Sequence, residues 1–175
     1  MSLLKTIVQQ LPYAHPFLFV DELTHVDEQG CEGFYTFKKD EYFYQGHFEN
    51  HPVTPGVILT ECMAQIGLVC LGIYLVGSDK LKVKGSVAHL KSTDGSLSGP
   101  APSRTVSKAE NEGQTAFVFS ESKVLFEKAV YPGEKVKVIS TKKYWRLDKL
   151  KCRVEMYNEA GERACSGELS GIISN

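Results

Sequence analysis

His47 and Glu61 stand fourteen residues apart in a chain of 175. Between them runs Gly46-His47-Phe48-Glu49-Asn50-His51-Pro52-Val53-Thr54-Pro55-Gly56-Val57, a polar turn that leads into an apolar segment carrying Glu61. Imidazole is the side chain best suited to exchange protons near neutral pH. A carboxyl group among apolar neighbours favours its neutral form and so suits a general acid. Pro55 and Gly56 fit the first turn of a helix, whose leading N–H groups have no partner inside the helix and can face a carbonyl oxygen that gains negative charge. Base, acid and donor in one short stretch is a set suited to proton transfer beside a carbonyl. The residue types also allow a plainer reading, in which the histidine caps or bonds a turn and the glutamate is satisfied by a neighbour. His15, His25, His51 and His89 make no stronger case, and Cys62 has no basic neighbour in sequence to activate a thiol. Gln65, four residues after Glu61, shares its helix face and can hold the carboxyl group.

These residues need elements to position them. From Val57 to Leu75, 14 of 19 positions are apolar, the exceptions being Thr60, Glu61, Gln65, Gly67 and Gly72. That length would just cross a bilayer, but Glu61 and Gln65 are costly there and the upstream Glu49 and Asn50 are not anchoring cations. The segment is expected to be a helix apolar all round, buried at the centre of a soluble fold, starting at Pro55-Gly56 and ending at Gly77. Elsewhere the pattern has period two. Leu150, Cys152, Val154 and Met156 alternate with Lys151, Arg153 and Glu155, and Val136 and Val138 with Lys135 and Lys137, as in strands buried on one face. Further strands are expected over Glu32–Lys38, Phe117–Phe126 and Ala164–Ile173, with a turn at Asn158–Gly161. One long buried helix plus antiparallel strands is an α+β arrangement in which a curved sheet wraps the helix. The whole chain, 1–175, reads as a single domain with an irregular polar insertion at about 80–115, rich in Gly, Ser, Lys and Glu.

Composition excludes other classes. With 42% hydrophobic and 23% charged residues the chain is neither disordered nor a disulfide-built miniature, and a net charge of -1 provides no global field for nucleic acid or anionic membrane. The five cysteines are widely spaced, with no C-x-x-C pair, and read as free, mostly buried thiols. Residues 1–10 hold one Lys and no apolar stretch of signal-peptide length, so a cytoplasmic location is expected.

Taken together, Gly46-His47-Phe48, Pro52-Val53-Thr54-Pro55-Gly56-Val57 and Glu61-Cys62-Met63-Ala64-Gln65 closely resemble the signature of the FabZ-type 3-hydroxyacyl-[acyl-carrier-protein] dehydratases. The stretch Leu11-Pro12-Tyr13-Ala14-His15-Pro16-Phe17-Leu18-Phe19-Val20-Asp21 resembles that family's opening motif, and Lys123 to Glu134 its strand after the helix. The resemblance implies a hotdog fold with paired protomers, a homodimer or a dimer-based higher oligomer, and active sites across their interface. By the same resemblance His47 removes the α-proton of a 3-hydroxyacyl thioester borne on acyl carrier protein. Glu61 of the partner protonates the departing hydroxyl, the Gly56 N–H polarises the carbonyl, Val53 orients His47 through its backbone carbonyl, and Gln65 supports Glu61. No metal or other cofactor is expected, since such an elimination needs only proton transfer and enolate stabilisation.

The chain departs from the pattern at Tyr13 and Ala14, at Asn50 and His51, and at Glu127, Lys128 and Ala129, where more basic residues are usual. The last change removes cations for an acidic carrier. Lys142, Lys143 and Arg146 beside Trp145 either replace them or are simply a solvated face. Housekeeping fatty acid synthesis and a specialised polyene or pigment pathway both fit. Competing functions are a hotdog acyl thioesterase, which would release free acid, and a non-catalytic protein that binds acyl carriers. An isomerase of the same family more often has Asp where Glu61 stands.

Overall fold

The computed structural model describes residues 2–86 and 116–174. Its elements are α1 (Leu3–Gln9), β1 (Glu22–Val26), β2 (Gly30–Thr36), a 3-10 turn (Tyr42–Gln45), α2 (Gly56–Ala64), a π-helical segment (Gln65–Cys70), α3 (Leu71–Ser86), β3 (Ala116–Phe126), β4 (Lys135–Arg146), β5 (Lys149–Tyr157) and β6 (Arg163–Ser174). The strands form one antiparallel sheet in the order β1-β2-β4-β5-β6-β3.

Alternation explains the sheet. Along β5, Leu150, Cys152, Val154 and Met156 are fully buried while the residues between them point outward, and Val136 and Val138 do the same in β4. The inward side chains meet a helix that buries Ile66, Leu68, Val69, Cys70 and Leu71 on every side, so the apolar segment is a core rod enclosed by the sheet. The helix begins at Gly56 with Pro55 as its N-cap, as expected. It does not end at Gly77. Nothing crowds Gly77, no proline follows, and a glycine inside a helix costs only about 1 kcal/mol, so the helix continues to Ser86. Residues 80–86 of the expected insertion therefore extend this helix, and residues 87–115 lie outside the described residues.

Three elements were not anticipated. α1 is capped by the Ser2 hydroxyl and buries Ile7. β1 buries only Leu23 and so has no alternation to reveal it. The π-helical segment lies in mid-helix, where the wider turn leaves carbonyls to be satisfied by other partners. The Cys31 thiol donates to the Ile66 carbonyl at 3.1 Å, and the Ser140 hydroxyl to the Gly67 carbonyl at 2.6 Å. All five cysteines are free and buried.

Helix and sheet touch closely at Gly67. A Cβ there would lie 2.8 and 3.0 Å from the two methyl groups of Val154 and 3.1 Å from the Ser140 Cβ. Val154 is β-branched and fully buried, so neither partner can yield cheaply. Gly67→Ala is expected to lower stability by about 1–3 kcal/mol in urea unfolding, and the loss should shrink in a Val154→Ala background. Equal loss in both backgrounds would refute the contact.

Candidate active site

A cluster of aromatic rings builds the floor beneath the polar turn. Phe19, Tyr35 and Phe37 pack edge to face, with centroids 5.5 and 5.0 Å apart, and Phe43 joins Phe37 at 6.4 Å. The Tyr35 hydroxyl donates to the buried Glu41 carboxylate at 2.5 Å. This cluster carries the 3-10 turn, and the turn delivers His47, whose N–H bonds the Phe43 carbonyl at 3.1 Å.

Two bonds then tie His47 to Val53. The Val53 N–H donates to the His47 carbonyl at 3.0 Å, and Nδ1 of the imidazole lies 2.9 Å from the Val53 carbonyl. A carbonyl only accepts, so Nδ1 carries the proton and the neutral ring keeps its lone pair on Nε2. The Phe48 ring stacks on the imidazole with centroids 4.0 Å apart and planes at 28°.

Glu61 is half-buried on α2, one turn before Gln65. The Gln65 amide is fully buried and has every role assigned. Its Oε1 accepts from the Phe19 N–H at 2.7 Å, and its Nε2 donates to the Phe17 carbonyl at 2.9 Å and to Glu61 Oε1 at 2.9 Å. Glu61 thus has one oxygen held and the other open to a further partner. The Tyr13 phenol is raised to about 12, by burial first and the Glu61 charge second, and so stays protonated at neutral pH.

At the start of α2 the Pro55 carbonyl takes the N–H groups of Ile58 and Leu59, at 2.9 and 3.1 Å. The Gly56 and Val57 N–H groups precede any intrahelical acceptor, as first-turn donors do. Phe126, at the end of β3, lies 3.1 Å from where a Gly56 side chain would begin, so glycine is what lets strand and helix tip approach.

The structure therefore joins His47 with Val53 and Glu61 with Gln65. Among the described residues no hydrogen bond or ion pair links one couple to the other, and no group of three or more His, Cys, Asp or Glu could hold a metal ion. Concave regions of about 400 Å³ beside Phe34 and Tyr157, and about 540 Å³ between α1 and β1, are lined by neither His47 nor Glu61. Lys142, Lys143 and Arg146 sit near the β4–β5 hairpin, beside the Phe117 end of the sheet. Phe117 packs on Gly72, sixteen residues and about 24 Å of helix from Gly56. Lys143 is ion-paired with Glu168. Glu127, next to Phe126, takes a two-pronged bond from Arg163 at 2.8 and 3.1 Å, which holds its carboxyl below the usual range.

Sequence reasoning passed over Phe48 as a ring partner and Phe126 as the neighbour of Gly56. Phe48 offered adjacency to His47 as a signal. Phe126, seventy residues beyond Gly56, offered none.

Comparison with known proteins adds an independent line. Residues 11–94 match a FabA-like domain. A 3-hydroxyacyl-[acyl-carrier-protein] dehydratase FabZ of Caldicellulosiruptor saccharolyticus is 32% identical over 169 residues, covering 94% of this chain and 93% of that protein. One from Clostridium perfringens is 28% identical over 177 residues, covering 99% of each. Among solved structures, the dehydratase heterocomplex ApeI:P of Xenorhabdus doucetiae aligns with a TM-score of 0.66 at 13% identity, covering 100% of this chain and 93% of its own. A hypothetical thioesterase with coenzyme A from Streptococcus pneumoniae aligns with a TM-score of 0.52 at 10% identity, covering 88% and 85%. The structural likenesses establish the hotdog fold, a long central helix wrapped by an antiparallel sheet. Sequence identity sustained over almost the full length of both chains goes further: this chain belongs to the FabZ family of 3-hydroxyacyl-[acyl-carrier-protein] dehydratases, which are hydro-lyases.

Proposed function

We propose that the protein converts (3R)-3-hydroxyacyl-[acyl-carrier-protein] to trans-2-enoyl-[acyl-carrier-protein], in fatty acid or related lipid or polyene synthesis in the cytoplasm. The observation that carries the reading is the bond from His47 Nδ1 to the Val53 carbonyl, which leaves Nε2 free to serve as a base on the loop that leads into α2. Nε2 takes a proton from the substrate α-carbon. The electron pair moves onto the thioester carbonyl oxygen, where the Gly56 N–H stabilises the enolate. Collapse of the enolate forms the α,β double bond and expels the 3-hydroxyl, which takes a proton from Glu61 and leaves as water. The site then holds imidazolium and carboxylate, and proton exchange restores both.

Because Glu61 and His47 each have their own partner in one chain, the acid is read as coming from a second copy. β3 supports this. It is an edge strand of eleven residues bearing exposed Val118, Leu125 and Phe126. An unpaired edge of that length, apolar at both ends around the exposed Ser120 to Lys123, can pair with another strand. Antiparallel pairing of two β3 strands brings the Phe126 end of one copy to the Ala116 end of the other. The second copy's Lys142, Lys143 and Arg146 then lie at the same end as this copy's His47, where acyl carrier protein, an acidic partner, is read as docking. The cytoplasmic location is supported by five free, buried thiols.

His47→Ala and Glu61→Gln are each expected to lower the rate by about 10² or more while the protein folds and assembles normally. Enoyl absorbance from a 3-hydroxyacyl thioester is the measurement, and near-normal turnover by either variant would sink the mechanism. Free thiol released without enoyl product would instead make the protein a thioesterase. Lysine at both Val118 and Leu125 should yield an inactive monomer by light scattering, and an active dimer would remove the edge-pairing arrangement. Lys142→Glu with Arg146→Glu should raise KM at least several-fold for the carrier-linked substrate and leave the pantetheine-linked one unchanged. A parallel loss with both substrates would exclude carrier docking there.

A further inference from the structure

The base sits on a poor support. Residues 46–55 have no regular structure, and Gly46 and Phe48 to Pro52 are exposed. Loops of that kind move, whereas a proton-transfer group has to be held to within a fraction of an ångström. The Val53 carbonyl orients the imidazole, but Val53 belongs to the same loop, so the two can shift together. Something has to tie the loop to the body of the protein.

Two hydroxyl groups beneath the loop meet that need. Tyr44 and Thr54 are 8% and 3% exposed, and Tyr44 Oη lies 2.5 Å from Thr54 Oγ1. Tyr44 precedes His47 by three residues, and Thr54 follows Val53 directly, so the bond closes the loop at its base and encloses both members of the His47–Val53 couple. Each end is anchored separately. The Tyr44 N–H bonds the Glu41 carbonyl at 3.1 Å, and the Thr54 N–H bonds the Val130 carbonyl at 2.9 Å. Thr54 also leads into Pro55 and Gly56, so the same bond relates the base to the donor-bearing tip of α2. Burial raises the Tyr44 phenol, which keeps it a neutral hydroxyl across the working range.

We propose that the buried Tyr44–Thr54 hydroxyl pair is the clamp that positions His47 against the Val53 carbonyl and the tip of α2. Both are positioning residues, acting through His47, and the role in turnover rests on the dehydratase reading above. A packing role is separable from a clamping role, because Phe and Val keep almost the same volume as Tyr and Thr and remove only the hydroxyls.

The test compares Tyr44→Phe, Thr54→Val, the double variant and Thr54→Ser, each first checked for fold and assembly by circular dichroism and light scattering. Tyr44→Phe and Thr54→Val should each lower kcat on the order of tenfold, with KM within about twofold. The double variant should be no worse than the poorer single one, since all three lose a single shared contact. Thr54→Ser should keep near-normal kcat. Nitrogen NMR of His47 provides a readout independent of turnover: the Nδ1–H tautomer should prevail in the unmodified protein and in Thr54→Ser, and give way to a mixture in the other variants. Unchanged kcat and an unchanged tautomer in Tyr44→Phe would overturn the clamp, as would activity losses that only follow the folded fraction. If the unmodified protein produces no enoyl thioester, the dehydratase reading fails, and the NMR comparison still decides the clamp.

Discussion

Enclosure of a helix with no polar side is the constraint from which the rest of the molecule follows. The rod from Gly56 onward buries large side chains all round, and an antiparallel sheet wrapped on it is the surface that can cover it with backbone hydrogen bonds intact. Covering it that closely requires Gly67 where Val154 presses in, and a Ser140 hydroxyl and Cys31 thiol for carbonyls freed by the π-helical turn. The same enclosure makes the few polar groups on the rod conspicuous. Gln65 has no water to turn to, so its amide finds Phe17, Phe19 and Glu61, and in doing so fastens the segment before β1 to the helix and fixes the carboxyl group.

The site is thus a by-product of the way the rod is begun and packed. The chain reaches the helix through a turn resting on edge-to-face aromatic rings, and that turn holds His47 against Val53, three residues before the helix begins at Gly56. Rigid elements carry Glu61, while a loop carries His47, and the loop needs more fastening for that reason. Glu61 is therefore set by core packing through Gln65, and His47 by the local hydrogen bonds of its loop.

The departures from the usual FabZ pattern now have surroundings. Tyr13 stands within the electrostatic reach of Glu61 as a protonated phenol. Glu127 is locked to Arg163 and Ser166. The cations of the β4–β5 hairpin are partly spent on neighbours, with Lys143 on Glu168 and Lys151 on Glu121 and Glu168.

Elements with a periodic burial demand were legible in the chain before any coordinates: the apolar rod, and the alternating strands β4 and β5, because each residue there reports its own surroundings. The couples His47–Val53 and Glu61–Gln65 were legible too, since their members lie six and four residues apart. What tertiary structure alone decided are relations between residues that share no pattern: Phe126 against Gly56, Tyr44 with Thr54, the carbonyls of the π-helical turn with Ser140 and Cys31, and the free edge of β3. β1 and the run of helix past Gly77 belong here as well, for a lone buried Leu23 and an uncrowded glycine carry no local signal. Spacing along a chain records which face a residue must turn inward; which distant side chain it then meets depends on how the sheet closes around the rod, and no single segment contains that information.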